Sequence, residues 1–536
     1  MTTWVAALLV ALIATLVCII ASGPERNSIR ECVFFGCAGA TADEFEAARA
    51  VVFEADRRLT DLDVHGAVEL ARRRVISNDN ASAVIEMLLE RQHEKLCKRC
   101  RVLQASKLLR HVDSAFPVLA ERAAFQLRKA EAARLLGHEA DAQVAVDAAA
   151  TLAASEGSTA LPLLANAHLM MGDYAEAFRL YRKAHALTRS TGGAGTDIVS
   201  TFKLQHDLEQ LEHLGLSGPQ PAYRAALAAL AAMPLATASG SAGRLADPAG
   251  RPVLALGNLR PEGVRDQLRA VFNVPHHLPR SNDVWEGNKR ALNRAHDFGA
   301  YEAAFIAGEV VIIDDFLTPE ALAALQTLST EATVFNAAMP GGYVGAMHRD
   351  GWAPAVLAAV AQELEAALPR VLGGHWLRKW WAFKHDSVHA PDGIFAHADE
   401  AAVNVNFWVT PDEANLGRDA GGNHDDDDPG PAAPGGLIVY ANHPNDADFE
   451  AGRGQSYISS ADQRVRRQEA LGTGQIQRIV PYKANRAVIF SSRKWHATDR
   501  HRFAGGLGKH RVNLTLLFGL LAAVQCSREG GGDAIE

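Results

Sequence analysis

The stretch GIFAHADEAAVNVNFWV, residues 393–409, decides how the C-terminal half of this chain is read. GIFAH reads as a short strand that ends on His397, and VNVNFWV alternates polar and apolar residues as a second strand does, so a turn carries Ala398 and Asp399 between them. His397 and Asp399, two apart at a strand end, can point to the same side and offer an imidazole and a carboxylate to one metal ion. The chain contains three further His-x-Asp triplets, at His111/Asp113, His348/Asp350 and His424/Asp426. The first lies in a helical region and the last opens an acidic loop, DDDDPGPAAPGG. His348-Arg349-Asp350 lacks the glycine-rich loop and strand lysine of a kinase, so all three are expected in surface or turn roles.

A third ligand should come from a later strand brought alongside. His496 fits, because it follows the apolar run RAVIFSS and sits in the polar stretch RKWHATDR, at the rim of a sheet. Two imidazoles and one carboxylate on one side of Fe(II) leave the other coordination positions open for O2 and a substrate. Downstream, HRVNLTLLFG places Val512, Leu514, Leu516 and Phe518 on one strand face and Arg511, Asn513 and Thr515 on the other. A guanidinium in so apolar a strand is costly unless paired, and it suits a buried carboxylate, with Asn513 or Thr515 as supporting donors. Lys384 in KWWAFKH, and Asn404 and Asn406 in VNVNFWV, either face the same pocket or are satisfied polar groups on a sandwich face. Trp380, Trp381 and Trp408 are expected in core packing.

Outward from this centre, GEVVIIDDF (308–316), GGLIVY and NRAVIFSS are further strand-like runs. Thr318-Pro319-Glu320 is a helix start, and residues 352–368 supply another helix. Strands that predominate toward the C-terminus, with helices ahead of them, predict a β-sandwich or jelly roll with buttressing helices over residues 298–522. The 536-residue length predicts several folded units. Residues 24–110 and 111–216 are rich in Ala, Leu, Glu and Arg at helical spacing. Gly137, Ala142, Val146 and Ala149 recur as Gly172, Ala177, Tyr181 and Ala184, an offset of 35 residues. Residues 217–297, with LATASGSAGRLADPAGRP, read as a partly ordered linker, and 523–536 as a flexible tail.

A net charge of −8 and a pI near 6.2 give no electrostatic footprint for nucleic acid. Trp4 to Ala21 is an uncharged apolar run, about 27 Å of helix at ~1.5 Å per residue. Residues 1–23 are therefore expected to be a membrane anchor, with a cleaved signal or a buried helix as the alternatives. Six cysteines, at 18, 32, 37, 97, 100 and 526, allow Cys32/Cys37 and Cys97/Cys100 disulfides in an oxidising lumen, and Asn80-Ala81-Ser82 is a glycosylation sequon.

Several of these segments resemble known families. MMGDYAEAFRLYRKAHAL (170–187) resembles the tetratricopeptide repeat. The order HAD, GGL strand, late histidine and arginine on the last core strand, together with VVIIDDFLTPEAL, PYKANRAVIF and RVNLTLLFG, resembles the 2-oxoglutarate/Fe(II) dioxygenases of the prolyl-4-hydroxylase-like group over about 220 residues. The resemblance implies a multi-domain protein, an all-α helical repeat followed by a double-stranded β-helix. It implies Fe(II) on His397, Asp399 and His496, with no catalytic residue beyond these ligands. Arg511, Asn513, Thr515, Lys384 and Asn404 would be the candidates for binding 2-oxoglutarate. O2 is the co-reactant, with ascorbate an open option, and the products are succinate, CO2 and a hydroxylated side chain. A protein or peptide substrate held by the repeats, and a single-pass protein with its catalytic domain in the lumen of the endoplasmic reticulum or Golgi, are expected, secretion being the alternative. A membrane-tethered adaptor with a non-catalytic jelly roll, and an oxygenase of a small molecule, are the competing functions. The spacing from His496 to Arg511, with AGGLGKH inserted, departs from the prolyl hydroxylase pattern and leaves room for another carboxylate-holding residue.

Overall fold

The computed structural model describes Leu109 and residues 122–519, apart from interior stretches of which the longest are 234–244, 418–434 and 444–475. The Trp4–Ala21 run, all six cysteines, Asn80, His111/Asp113, His424/Asp426, residues 24–108 and the 523–536 tail lie outside the described residues. No described helix is long and apolar enough to cross a membrane. The chain divides into two compact units, Met1–Leu152 and Ala153–Glu536.

Helix α1 (Ala123–Leu135) is followed across a short turn by α2 (Glu139–Ser155), and α3 (Leu161–Met170) and α4 (Tyr174–Thr188) pack together as a helical hairpin. The two turns close identically. Gly137 and Gly172 take φ of 75° and 77°, and the next residues, His138 and Asp173, donate backward to Ala133 O and His168 O at 2.9 Å each. That left-handed residue after a helix end is where glycine costs nothing and any side chain is strained. Ala142 and Ala177, 35 residues apart, are both fully buried. Asp173 then caps α4 by accepting from Glu176 N.

In the second unit, β4 (Val311–Ile313), β5 (Ala337–Met339), β6 (Tyr343–Met347), β7 (Leu377–His385), β8 (Val403–Trp408), β11 (Ala487–Ser491) and β13 (Arg511–Phe518) form a seven-stranded sheet in the order β4-β11-β8-β13-β7-β6-β5. Three others, β9 (Leu437–Tyr440), β10 (Ile476–Val480) and β12 (His496–Thr498), form a second sheet, β10-β9-β12. Every pairing in both is antiparallel. The two sheets face each other across an apolar core of Trp408, Val488 and Phe490 from the larger, and Leu437, Val439 and Val480 from the smaller. Alternation sends Val512, Leu514, Leu516 and Phe518 of β13 to the opposite face, where all are buried.

Helices cover that outer face. Phe178 of α4 stacks on Trp380 of β7, centroids 4.1 Å apart and planes 5° apart, with Tyr181 edge-on to the same indole at 5.4 Å. Tyr174 bonds Glu365 at 2.8 Å. The α3–α4 hairpin is thus packed into the β-unit's own core. Helix α5 (Thr201–His213) also lies on this side. Strands β1 (Ile198–Ser200), β2 (Leu245–Ala246) and β3 (Pro252–Ala255) pair in the order β1-β3-β2, and α5, α6 (Gln220–Ala231), β1, β3 and α7 (Glu262–Arg269) enclose a satellite core that includes Leu211, Tyr223, Leu254, Leu268 and Phe272. Much of the 217–297 span, read as linker from its composition, contributes to that core. Helix α8 (Phe298–Ile306) follows it, and α9 (Pro319–Glu331) starts as its sequence predicts: Thr318 Oγ1 accepts from Ala321 N at 3.3 Å with Pro319 in the first turn. Helix α10 (Ala355–Ala367) precedes β7.

Candidate metal centre and adjoining polar pocket

His397, Asp399 and His496 meet. Each offers one ligand atom, and these atoms lie within 4.8 Å of one another, all three side chains being buried. Backbone pairing brings them together: His397 N donates to His496 O at 2.9 Å and His496 N to His397 O at 2.8 Å, an isolated antiparallel bridge beside β12. Asp399 N bonds Ser492 O at 3.1 Å, which fixes the turn after the histidine. His496 Nε2 lies 3.4 Å from Asp399 Oδ2. The other ring nitrogen, Nδ1, lies 3.0 Å from Lys494 O; donating to that carbonyl puts the proton on Nδ1 and leaves Nε2 as a lone pair aimed at the carboxylate. That is the orientation a metal-binding imidazole needs. The donor set, two imidazoles and a carboxylate on one side, fits a divalent first-row ion such as Fe(II).

A file of side chains runs away from Asp399 along the inner face. Asn404 Nδ2 donates to Asp399 Oδ2 at 2.8 Å, and Asn406 Nδ2 to Asn404 Oδ1 at 2.6 Å. Thr515 Oγ1 and Asn513 Nδ2 both donate to Asn406 Oδ1, at 2.7 and 2.9 Å. Register explains the file, since Thr515 lies opposite Asn406 and Leu517 opposite Asn404 on paired strands. Each amide is oriented by the one before it, so the aspartate oxygen receives a donor whose rotamer is fixed from the neighbouring strand. Asn404, Asn513 and Thr515 therefore sit on the expected face. Asn404 supports the aspartate, and the donors of Asn513 and Thr515 are spent within the file.

Arg511 lies two residues beyond Asn513 on the same strand face, about 7 Å along β13, and is 1% exposed. Its Nε donates to Gly435 O at 2.6 Å, while Nη1 has no hydrogen-bond partner among the described residues. The Gly435-Gly436 pair is required there: Gly435 has φ of 70°, and a Cβ on Gly436 would meet Val480 O at 1.9 Å. Burial lowers the Arg511 pKa to about 10, against the opposing influence of Tyr482 and Asp499. Its cross-strand partner is His385. The His385 ring stacks on Tyr343 at 5.1 Å and meets His501 edge-on at 4.9 Å. His385 Nε2, His501 Nε2 and the Tyr343 hydroxyl are likewise buried without partners. Burial, then the Arg511 charge, holds His385 well below the usual imidazole range and His501 at about 3. A buried guanidinium beside two neutral imidazoles and a phenol, each with an unused polar atom, is a cluster whose charge and donors suit an anion.

Lys384 is not in this pocket, which corrects the sequence expectation. Lys384 pairs with Val512, and both face the helices; its Nζ lies 2.8 Å from His206 Nε2 on α5 and 3.8 Å from the centre of the Phe335 ring. Strand period two makes its neighbour His385 the inward residue. His385, His501 and Tyr343 were missed from sequence. The first was legible in principle, because KWWAFKH paired against HRVNLTLLFG sets His385 opposite Arg511. Pairing register was the missing information. Trp380 and Trp408 are fully buried and Trp381 nearly so, as core packing requires, and His348–Asp350 forms a turn.

No family model matches this sequence, and no curated protein matches it. Among solved structures, one match is titled as the crystal structure of an oxidoreductase of the 2OG-Fe(II) oxygenase family from Burkholderia pseudomallei. It is 12% identical, with a TM-score of 0.23, over 42% of this chain and 92% of that one. The described molecule is a mixed assembly of helices and antiparallel sheets whose buried His-Asp-His group can take a metal ion.

Proposed function

We propose that the Ala153–Glu536 unit is an Fe(II)- and 2-oxoglutarate-dependent dioxygenase on a double-stranded β-helix, a jelly roll. The observation that carries this reading is the pairing of a buried His397–Asp399–His496 set with a buried Arg511 whose Nη1 is unbonded, on the same sheet face. One site needs a cation and the other an anion. A 2-oxo dicarboxylate satisfies both, its keto acid end on the metal and its distal carboxylate on the Arg511 Nη edge, with His385, His501 and Tyr343 as further hydrogen-bonding groups. Bound there, Fe(II) supplies the redox chemistry by which O2 and 2-oxoglutarate become succinate, CO2 and a hydroxyl group in place of a C–H hydrogen.

The chain's own part is positional. The asparagine file fixes Asp399, the Lys494 carbonyl fixes the His496 tautomer, and the two-sheet core keeps bulk water away from the charge-assisted contacts. The substrate is a side chain of a protein or peptide in this reading, prolyl hydroxylation being the first case to test. Support for that class comes from the helices with their recurring glycine turns, which resemble tetratricopeptide repeats and suit an extended polypeptide. Membrane attachment through Trp4–Ala21, with the catalytic unit lumenal, is part of the same proposal and rests on hydropathy alone.

Succinate formation from 2-oxoglutarate by the purified protein with Fe(II), and its loss in His496→Ala, tests the reading. Peptides that gain one oxygen by mass spectrometry identify the substrate. No keto acid turnover together with no Fe(II) or Co(II) uptake would leave a non-catalytic adaptor.

A further inference from the structure

Behind the strands that carry His385 and Arg511 lies a cavity, on the helix-covered face. It measures about 120 Å³ and is lined by Lys384, Ser329, Thr410, His510 and Val512 among others. At roughly 30 Å³ per liquid water molecule it has room for a few waters or one very small organic anion. Three features distinguish it from a packing defect. Lys384, 2% exposed, lines it. The Ser329 hydroxyl and His510 Nε2 are buried there without hydrogen-bond partners. The Lys384 ammonium is also without an ion pair among the described residues: Lys203 takes the Asp207 carboxylate, and His206 Nδ1 lies 3.0 Å from the other Asp207 oxygen. Lys384 has the imidazole of His206 and the Phe335 ring instead. Of the other carboxylates near this cluster, Glu209 is half-exposed and lies 4.0 Å from His510, and Asp386 is buried.

We infer that this cavity is a binding site for a small monocarboxylate-type anion, held by the Lys384 ammonium and the Ser329 hydroxyl, with His510 as the third contact. The site is separate from the keto acid pocket, because Lys384 and Val512 face the helices while His385 and Arg511 face the metal. Its existence does not depend on the dioxygenase reading. Burial lowers the Lys384 pKa to about 7, with Asp207 and Glu209 opposing and Lys203 assisting. Of the other groups facing this cluster, His206 and His510 are held neutral, at about 3 and about 4, and Asp386 influences His510. Anion binding therefore takes up a proton on Lys384, and affinity falls as pH rises above 7, by roughly fivefold over the first unit and approaching tenfold per unit beyond it.

The test uses the full chain, with acetate as the probe, read by saturation-transfer NMR at pH 6.5 and constant chloride-balanced ionic strength. Arg511→Met serves as the background, so that the metal-side pocket does not report. Acetate binding is expected to persist in Arg511→Met, to weaken at least fivefold on adding Ser329→Ala, and to vanish on adding Lys384→Met. Ser329→Ala deletes one hydroxyl and carries the test alone if Lys384→Met does not fold. No acetate signal in the Arg511→Met background, or a signal that neither added substitution changes, overturns the inference. Failure of the dioxygenase reading shows separately, as absence of 2-oxoglutarate binding by the unsubstituted protein.

Discussion

Replacing Arg511 by methionine separates the two requirements that its position imposes. Without ligand, the guanidinium is buried, bonded through Nε to Gly435 O and unpartnered at Nη1. Methionine fills similar volume and removes an ion whose burial is costly, so the ligand-free protein loses one hydrogen bond and gains relief from desolvation. Its stability should stay within about 1 kcal/mol of the parent. Ligand binding responds differently. With Nε committed, the Nη edge offers one or two charge-assisted bonds to the distal carboxylate, and their loss costs about 2–4 kcal/mol. At 1.4 kcal/mol per decade this raises the 2-oxoglutarate requirement roughly 30- to 700-fold. Succinate release as a function of 2-oxoglutarate concentration measures the shift. A parallel Tm series should show that 2-oxoglutarate with Co(II) stabilises the parent, whereas Co(II) alone accounts for all the stabilisation of Arg511→Met. A keto acid requirement unchanged within threefold would refute the assignment of the distal carboxylate to this residue.

Three further outcomes follow from the same contacts. Asn404→Ala removes the donor to Asp399 Oδ2 and leaves Asn406 without its acceptor; metal affinity by Co(II) titration should fall about 10- to 100-fold, and unaltered affinity would show the file to be structural only. Phe178→Ala strips the face of Trp380 inside the β-unit; urea unfolding should lose about 3–5 kcal/mol, and a loss below 1 kcal/mol would mean that the hairpin is peripheral. Burial holds His206 and His501 near 3 and His185, His348 and His510 near 4 in the folded chain. Because the unfolded chain takes up these protons first, near pH 6.5, the stability they confer is complete above that pH and is lost as pH falls toward 4. Urea midpoints at pH 7, 6, 5 and 4 should drop with increasing slope, and a flat profile would contradict the neutral buried state.

Period-two alternation and local punctuation carried much of the reading. The turn between His397 and Asn404, the capped start of α9 and the outward set on β13 depend on residues within about ten positions of one another, and their chemistry is local. The same holds for the two glycine turns 35 residues apart. His496 was identified because a strand end among polar residues is where a ligand can sit, although its neighbour across the bridge, His397, is 99 positions earlier.

What local signals could not give was register between strands distant in the chain. Lys384 and His385 are adjacent and chemically plausible alike, and only the pairing of β7 with β13 decides which one faces Arg511. His501, brought to His385 by the loop after β12, carries no strand periodicity at all. Composition also misled over 217–297, since alanine- and glycine-rich helices look like linker until their few leucines and aromatics meet in one cluster. The sequence by itself determined the residue types, the faces of β13 and the candidate metal ligands His397 and Asp399, because these follow from backbone geometry over a few residues. The tertiary structure alone decided which buried polar atoms were left without partners, because that is a sum over neighbours from every part of the fold.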